Sequence, residues 1–459
     1  MGVFIGGTGT HAGVANSITG TFADDVIVGD PFTGGNTLFL PEIGGTLDRG
    51  RGGDDRLDGC QGVDRILGDA WAMAGVARGG FDRLRGGSGA DWLLGDAYVL
   101  SERAQGGNDV IVGGAERDEA WGDGFRLQDQ ARGGDDRIAG GSEADLLSGD
   151  ASHLLDSAAG GNDRLDGGAG ADELHGDAVQ MEDGGRGGND ACFGGSEDDR
   201  LYGEAYVAYG ASHGGDDRLA GAAGNDRLLG EAEVAEGAMA CGNDRLVGGT
   251  GADLLAGDAN YMASDASGGN DRLLGGSEDD ELYGEGSFME GRSLGGDDIL
   301  VGGAGSDLLA GEASYVQGDV RCGSDRLEGG AGNDVLTGDA LQANLGACIG
   351  GNDLLIGGAG DDSLRGDAYD EDGIADVRGA DRFLFAAGSG QDRIWDFEPG
   401  RDRIVLDASY GFASFADLEG RIEDTASGSA VIQLHDAADR IELVGLRAAE
   451  LAAGDFIFG

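Results

Sequence analysis

Apolar residues along this 459-residue chain follow neither a 3.6-residue helical period nor one long alternation. They come in short clusters, each set just behind an aspartate and a run of glycines. The last aspartate of each GG[DN]D-like stretch falls at Asp55, Asp82, Asp109, Asp136, Asp163, Asp190, Asp217, Asp244, Asp271, Asp298 and Asp325, ten steps of 27. Two steps of 28 then reach Asp353 and Asp381. A second aspartate follows nine residues later at Asp64, Asp91, Asp118, Asp145, Asp172, Asp199, Asp226, Asp253, Asp280, Asp307 and Asp334, and Asp362 follows Asp353 in the same way. Two residues after each aspartate stands an apolar side chain with few exceptions, as at Leu57, Leu84 and Ile111 in the first row and Ile66, Leu93 and Ala120 in the second. Columns kept over so many steps predict a repeat fold in which each unit stacks on the next.

Each unit divides into three nines. Residues 86–94, GGSGADWLL, predict a glycine-rich turn closed by aspartate and then a three-residue strand whose middle side chain points inward. Residues 104–112, AQGGNDVIV, are a looser copy. Residues 95–103, GDAYVLSER, lack the turn glycines but keep a GD or GE start and an apolar sixth position. That sixth column reads Met73, Leu100, Leu127, Leu154, Met181, Ala208, Ala235, Met262, Met289, Val316 and Ala343, so the third segment is expected to pack on a core. Its leading carboxylates form another column: Asp69, Asp96, Asp123, Asp150, Asp177, Glu204, Glu231, Asp258, Glu285, Glu312, Asp339 and Asp367. Arginines recur at Arg56, Arg83, Arg137, Arg164, Arg218, Arg245, Arg272 and Arg326. Like charges stacked about 4.8 Å apart repel, so each column needs counter-charge. The GD/GE column is either a further row of metal ligands or an ion-paired, solvated face.

The nonapeptide GGxGxDxUx, with U a large apolar residue, resembles that of the RTX (repeats-in-toxin) family of calcium-binding β-rolls over roughly residues 20–380. The resemblance implies an all-β, right-handed parallel β-solenoid, with calcium held between turns of successive coils by the motif aspartates and turn carbonyls. It implies as ligands the two aspartate rows, Asp55 to Asp353 and Asp64 to Asp362. The residue chemistry agrees independently, since calcium takes six to eight oxygens from carboxylates and carbonyls. The sequence departs from the family in one respect: family rolls usually use 18-residue coils. An 18-residue coil would stack GD/GE segments on calcium turns, whereas a 27-residue coil stacks like on like, and ten identical steps favour the latter.

Three divisions are expected. Residues 1–50 make an opening coil with a loop: Asp25-Val26-Ile27-Val28-Gly29-Asp30 matches the second row, and residues 31–50, with Pro31 and Pro41, break the register. Residues 51–379 are the twelve-unit solenoid. From 380 to 459 glycine thins and aromatics rise, at Phe383, Phe385, Trp395 and Phe397 among others. DRFLFAAGSGQDRIWDFEPGRDRIVL and the closing DFIF resemble the C-terminal module of serralysin-type proteases, implying a small β cap that also carries a type I secretion signal. A repeat stack needs such a cap to cover its last apolar layer and strand edge.

Composition narrows the function. Acidic residues number 87 against 31 basic ones, none of them lysine, for a formal charge of −56. Nucleic acid and anionic membrane surfaces are therefore disfavoured, and no apolar stretch is long enough to span a bilayer. With 97 glycines, the chain is expected to stay open until cations offset its charge. Roughly one ion per turn motif, about 24 in all, would supply about +48. Cys60, Cys192, Cys241, Cys322 and Cys348 show no disulfide or zinc spacing, and His11, His153, His175, His213 and His435 no HExxH. Repeats begin within the first sixty residues, leaving no room for a catalytic domain ahead of them, so the chain is read as a non-enzyme. The expected function is a secreted, extracellular or cell-surface calcium-binding protein of a matrix or surface layer. The alternatives are a calcium-dependent adhesin, with Trp71, Tyr98, Tyr206 and Tyr261 as contacts, and a non-catalytic partner of an extracellular enzyme. Expected partners are calcium ions, further copies of the chain or an extracellular polysaccharide, and the type I secretion apparatus.

Overall fold

A computed structural model describes residues 2–5, 17–19, 25–28, 46–344, 349–369, 378–435 and 438–459. His11, Cys348 and residues 31–45 of the expected loop lie outside these. The chain divides into two compact units, Met1–Asp244 and Arg245–Gly459. Both are all-β and follow one plan of parallel coils, about 12 turns altogether.

In the first unit a representative coil runs through strands Arg83–Ser88, Trp92–Leu94 and Ala97–Leu100. The next repeats them at Val110–Ala115, Glu119–Trp121 and Gly124–Leu127. Arg83 pairs with Val110, Trp92 with Glu119 and Ala97 with Gly124, each parallel and 27 residues on. The 27-residue coil is thus the real one, and the 18-residue alternative is excluded by register. In the second unit, Arg272–Ser277, Glu281–Tyr283 and Gly286–Gly291 pair in the same way with Ile299–Ala304, Leu308–Ala310 and Ala313–Gly318. Near residue 326 the step lengthens to 28, as Arg326 pairs with Leu354.

The core is the inward apolar columns. Leu165, Leu174 and Met181 of one coil are fully buried, as are Leu273, Leu282 and Met289 of another. Burying such a side chain stabilises by about 1.5–3 kcal/mol. Between residues 51 and 379 the second-row strands keep the expected three residues, and most other strands are longer. First-row strands run to six because the glycine pair of the following turn stacks on its copy in the neighbouring coil. Gly114, at φ +126°, allows this: a methyl there would lie 2.2 Å from the carbonyl oxygen of Gly87.

At the N-terminus, Asp25–Val28 pairs in parallel with Arg65–Leu67 in second-row register, Ile27 facing Ile66. Ser17–Thr19 joins Arg56–Gln61, and Thr46–Leu47 joins Ala70–Met73. Toward the C-terminus, Arg382–Phe385, Arg403–Leu406 and Phe456–Phe458 continue the first-row sheet in parallel. Ile422–Asp424, Ala430–His435 and Asp439–Leu443 fold back antiparallel, so these strands form a small cap. Phe383 and Phe385, on strand Arg382–Phe385, are buried.

Candidate metal centre

All the aspartates singled out in the first two rows are buried, none more than 3% exposed. Within a row they are joined in one sense. Within either unit the main-chain N–H of one aspartate donates to Oδ1 of the aspartate in the following coil, as from Asp109 to Asp136 (2.6 Å), from Asp118 to Asp145 (2.8 Å) and from Asp271 to Asp298 (2.7 Å). The second oxygen is left over: Oδ2 of Asp109, Asp136, Asp118 and Asp145 has no hydrogen-bond partner. Glycine carbonyls stand beside these oxygens. A methyl on Gly122 would meet Asp136 Oδ2 at 1.9 Å and Gly149 O at 1.8 Å; one on Gly113 would meet Asp118 Oδ2 at 2.4 Å and Gly140 O at 2.7 Å. Only glycine leaves this space open to an ion.

The electrostatics reflect the crowding. Burial, with neighbouring carboxylates adding to it, pushes Asp118 up to about 7. Asp109 and Asp136 are held well above the carboxylate range, chiefly by burial. A buried anion with an unsatisfied oxygen is costly unless a cation accompanies it. Buried, acceptor-only oxygens set among carbonyls are the donor set of a hard cation such as calcium.

The GD/GE column lies inside too. Asp69, Asp96, Asp123, Asp150, Asp177, Glu204, Glu231, Asp258, Glu285, Glu312 and Asp339 are fully buried, and Asp367 is nearly so. Each accepts a main-chain N–H from a first-row turn, as Asp96 does from Gly107 (2.7 Å) and Asp123 from Gly134 (2.9 Å). The arginine column faces the other way: Arg83, Arg137 and Arg164 are exposed, and Arg326 pairs with Glu328 (3.2 Å) on its own strand. The solvated-face alternative therefore does not describe this column: its carboxylates, set between the second and third strands of each coil, are enclosed, while the arginines point outward from the first strand.

Four carboxylates beyond the expected set extend the rows into the cap. Asp353 N–H donates to Asp381 (2.9 Å), Asp381 N–H to Asp402 (3.1 Å) and Asp362 N–H to Asp392 (3.1 Å). Asp396 accepts from Gly366 and Asp367 (3.0 Å each). Burial raises Asp392 to about 8 and Asp381 to about 9. Asp381 continues the 28-residue step; past it the period is no guide, but a local signal remains: Gly390-Gln391-Asp392-Arg393 and Gly400-Arg401-Asp402-Arg403 repeat the aspartate–arginine step of the first row.

The aromatics spend their faces on one another. Trp71 stacks on Tyr98 (centroids 4.4 Å, 11°), Tyr98 on Phe125 (5.0 Å, 2°), and Tyr261 on Phe288 (5.3 Å, 8°). Tyr206 is exposed and meets Tyr202 edge-on.

A family model of the RTX calcium-binding nonapeptide repeat matches residues 76–97, 103–124, 130–153, 157–178, 184–205, 213–232, 242–260, 265–287, 293–314, 323–340 and 350–368. No curated protein matches the chain. Among the described residues no helix is long and apolar enough to cross a membrane. RTX repeats bind calcium, so calcium is the cofactor these turns serve. The matched segments span just over half of the 459 residues and every coil between residues 76 and 368, and the chain belongs to the RTX calcium-binding nonapeptide repeat family.

Proposed function

We propose that this chain is a secreted structural protein, of an extracellular matrix or surface layer, whose solenoid folds as its buried carboxylates take up calcium. The observation that carries this reading is the pairing of roles on Asp109, Asp118, Asp136 and Asp145: one oxygen of each holds the neighbouring coil's N–H and the other meets no protein donor. Three buried apolar residues per coil contribute about 1.5–3 kcal/mol each. Three buried, ionised carboxylates cost several kcal/mol each, before the entropy of ordering 27 residues is counted, so apolar burial alone does not hold the ionised coil closed. Bound calcium supplies the positive charge that lets these carboxylates stay ionised while buried. The rows Asp55 to Asp353 and Asp64 to Asp362 would hold it. At the low calcium of a cell interior the rows repel and the chain stays open; at roughly 10⁻⁴ to 10⁻³ M outside, it closes.

In this reading residues 51–379 are the calcium-dependent body, residues 1–50 start it, and residues 380–459 cap it and carry the export signal. The chain performs no reaction of its own. The stacked rings support structure over sugar recognition, because a sugar needs an open ring face and Tyr98 has a neighbour on each side. Far-ultraviolet circular dichroism tests the proposal: a β spectrum in millimolar calcium should be lost in EDTA and return on recalcification. An unchanged spectrum in EDTA at pH 8 would reject it.

A further inference from the structure

The third-row carboxylates do more than line the first-row turns. Asp123, Asp136 and Asp150 each bring a carboxylate oxygen within 4.8 Å of the other two, and all three are at most 2% exposed. One oxygen of each is already engaged: Asp123 Oδ2 accepts from Gly134 N (2.9 Å), Asp150 Oδ2 from Gly161 N (2.9 Å), and Asp136 Oδ1 from Asp109 N (2.6 Å). The remaining oxygens, Asp123 Oδ1, Asp136 Oδ2 and Asp150 Oδ1, have no protein partner. The wall beside them is bare main chain: a methyl on Gly106 would lie 1.6 Å from Asp123 Oδ1, and one on Gly133 1.5 Å from Asp150 Oδ1. Asp82, Asp96 and Asp109 make another such cluster, with two first-row carboxylates and one from the GD/GE column.

Charge separates this channel from the second row. Each coil adds one first-row and one third-row carboxylate to the channel, both out of contact with solvent, so one divalent ion per coil neutralises it. Each coil adds one buried carboxylate to the second row, where exposed acids such as Glu116 stand nearby. No arginine can serve the channel from the outward-facing column.

We propose that the GD/GE carboxylates are direct calcium ligands, and that within each compact unit they form with the first-row aspartates a line of sites, one ion per coil, distinct from the sites of the second-row nonapeptide turns. This rests on the calcium-loaded state proposed above and shares its first-row aspartates, but it adds the GD/GE carboxylates as ligands, and it can fail while calcium-dependent folding stands.

Two measurements test it. In crystals of the calcium-loaded full chain, anomalous scattering should place ions about 2.3–2.6 Å from the carboxylates of Asp123, Asp136 and Asp150. Peaks held by first- and second-row aspartates and turn carbonyls, with no ion in coordination distance of Asp123 or Asp150, would overturn the inference without touching the folding proposal. Metal analysis of the gel-filtered variant Asp150→Asn, folded by circular dichroism, should show a loss of one or two ions per chain against wild type. An undiminished count would also overturn it, and the anomalous map decides the matter if that variant does not fold.

Discussion

At the scale of single residues, the turns are ruled by what can stand in a left-handed conformation. Gly87, Gly114, Gly141, Gly168 and Gly195 occupy one column at φ between +105° and +126°, and Ala222 holds the same place at φ +82°. An alanine there pays about 1–2 kcal/mol in sterics, partly offset by glycine's greater unfolded freedom. Ala222→Gly should therefore raise the stability of the calcium-loaded protein by about 1 kcal/mol, read as a higher urea midpoint; a lower midpoint would show that the methyl is packed to advantage. Which residues are acidic and periodic was legible in the sequence. That Asp123 and Asp150 are fully enclosed was not, because a GD pair reads the same on an exposed edge as on an inner wall. Only register, by setting the third segment's start against the next coil's glycine pair, decides between the two. The division of labour between two oxygens of one carboxylate is likewise a matter of three dimensions.

Among elements, the parallel strands carry the pattern because every residue meets its own equivalent 27 places on. This is why the columns could be read from spacing alone, and why the cap could not be. There the first-row step shortens to 21, as Arg382 pairs with Arg403, and the period dissolves while the local aspartate–arginine step survives. Strand pairing also turns a scattered set of aromatics into a ladder. Leu67, Leu94 and Trp121 form a buried cluster on which Trp71, Tyr98 and Phe125 pack. Removing the central ring breaks two stacks at once, so Tyr98→Ala should cost about 2–4 kcal/mol, again by urea midpoint in saturating calcium. A loss no larger than that of an exposed alanine substitution would mean that the stack is incidental.

For the whole molecule, metal and proton compete for the same carboxylates. Asp91, Asp118, Asp145 and Asp199 are pushed by burial up to about 7 in the metal-free fold, against about 3.9 in an unfolded chain. Groups raised in this way favour the fold below about pH 4, and that contribution is lost as pH rises through about 7. In EDTA the chain should hence show more β signal at pH 5 than at pH 8. In limiting calcium the trend reverses, since binding needs the ionised form and lower pH should shift the calcium midpoint upward. A β signal in EDTA that grows toward pH 8 would contradict the burial of these rows.

The one-way hydrogen bonds of the rows give the molecule a polarity. Within each unit a turn aspartate's N–H finds its side-chain acceptor in the coil that follows, and the last coils find theirs in Asp381, Asp392 and Asp402 of the cap. A coil added from the C-terminal side thus arrives where its acceptors already stand, while one starting at the N-terminus has to wait for them. If the chain folds as proposed above, assembly from the tail would lay down each template before the coil that uses it, and a polypeptide leaving its cell tail first would meet calcium in that order.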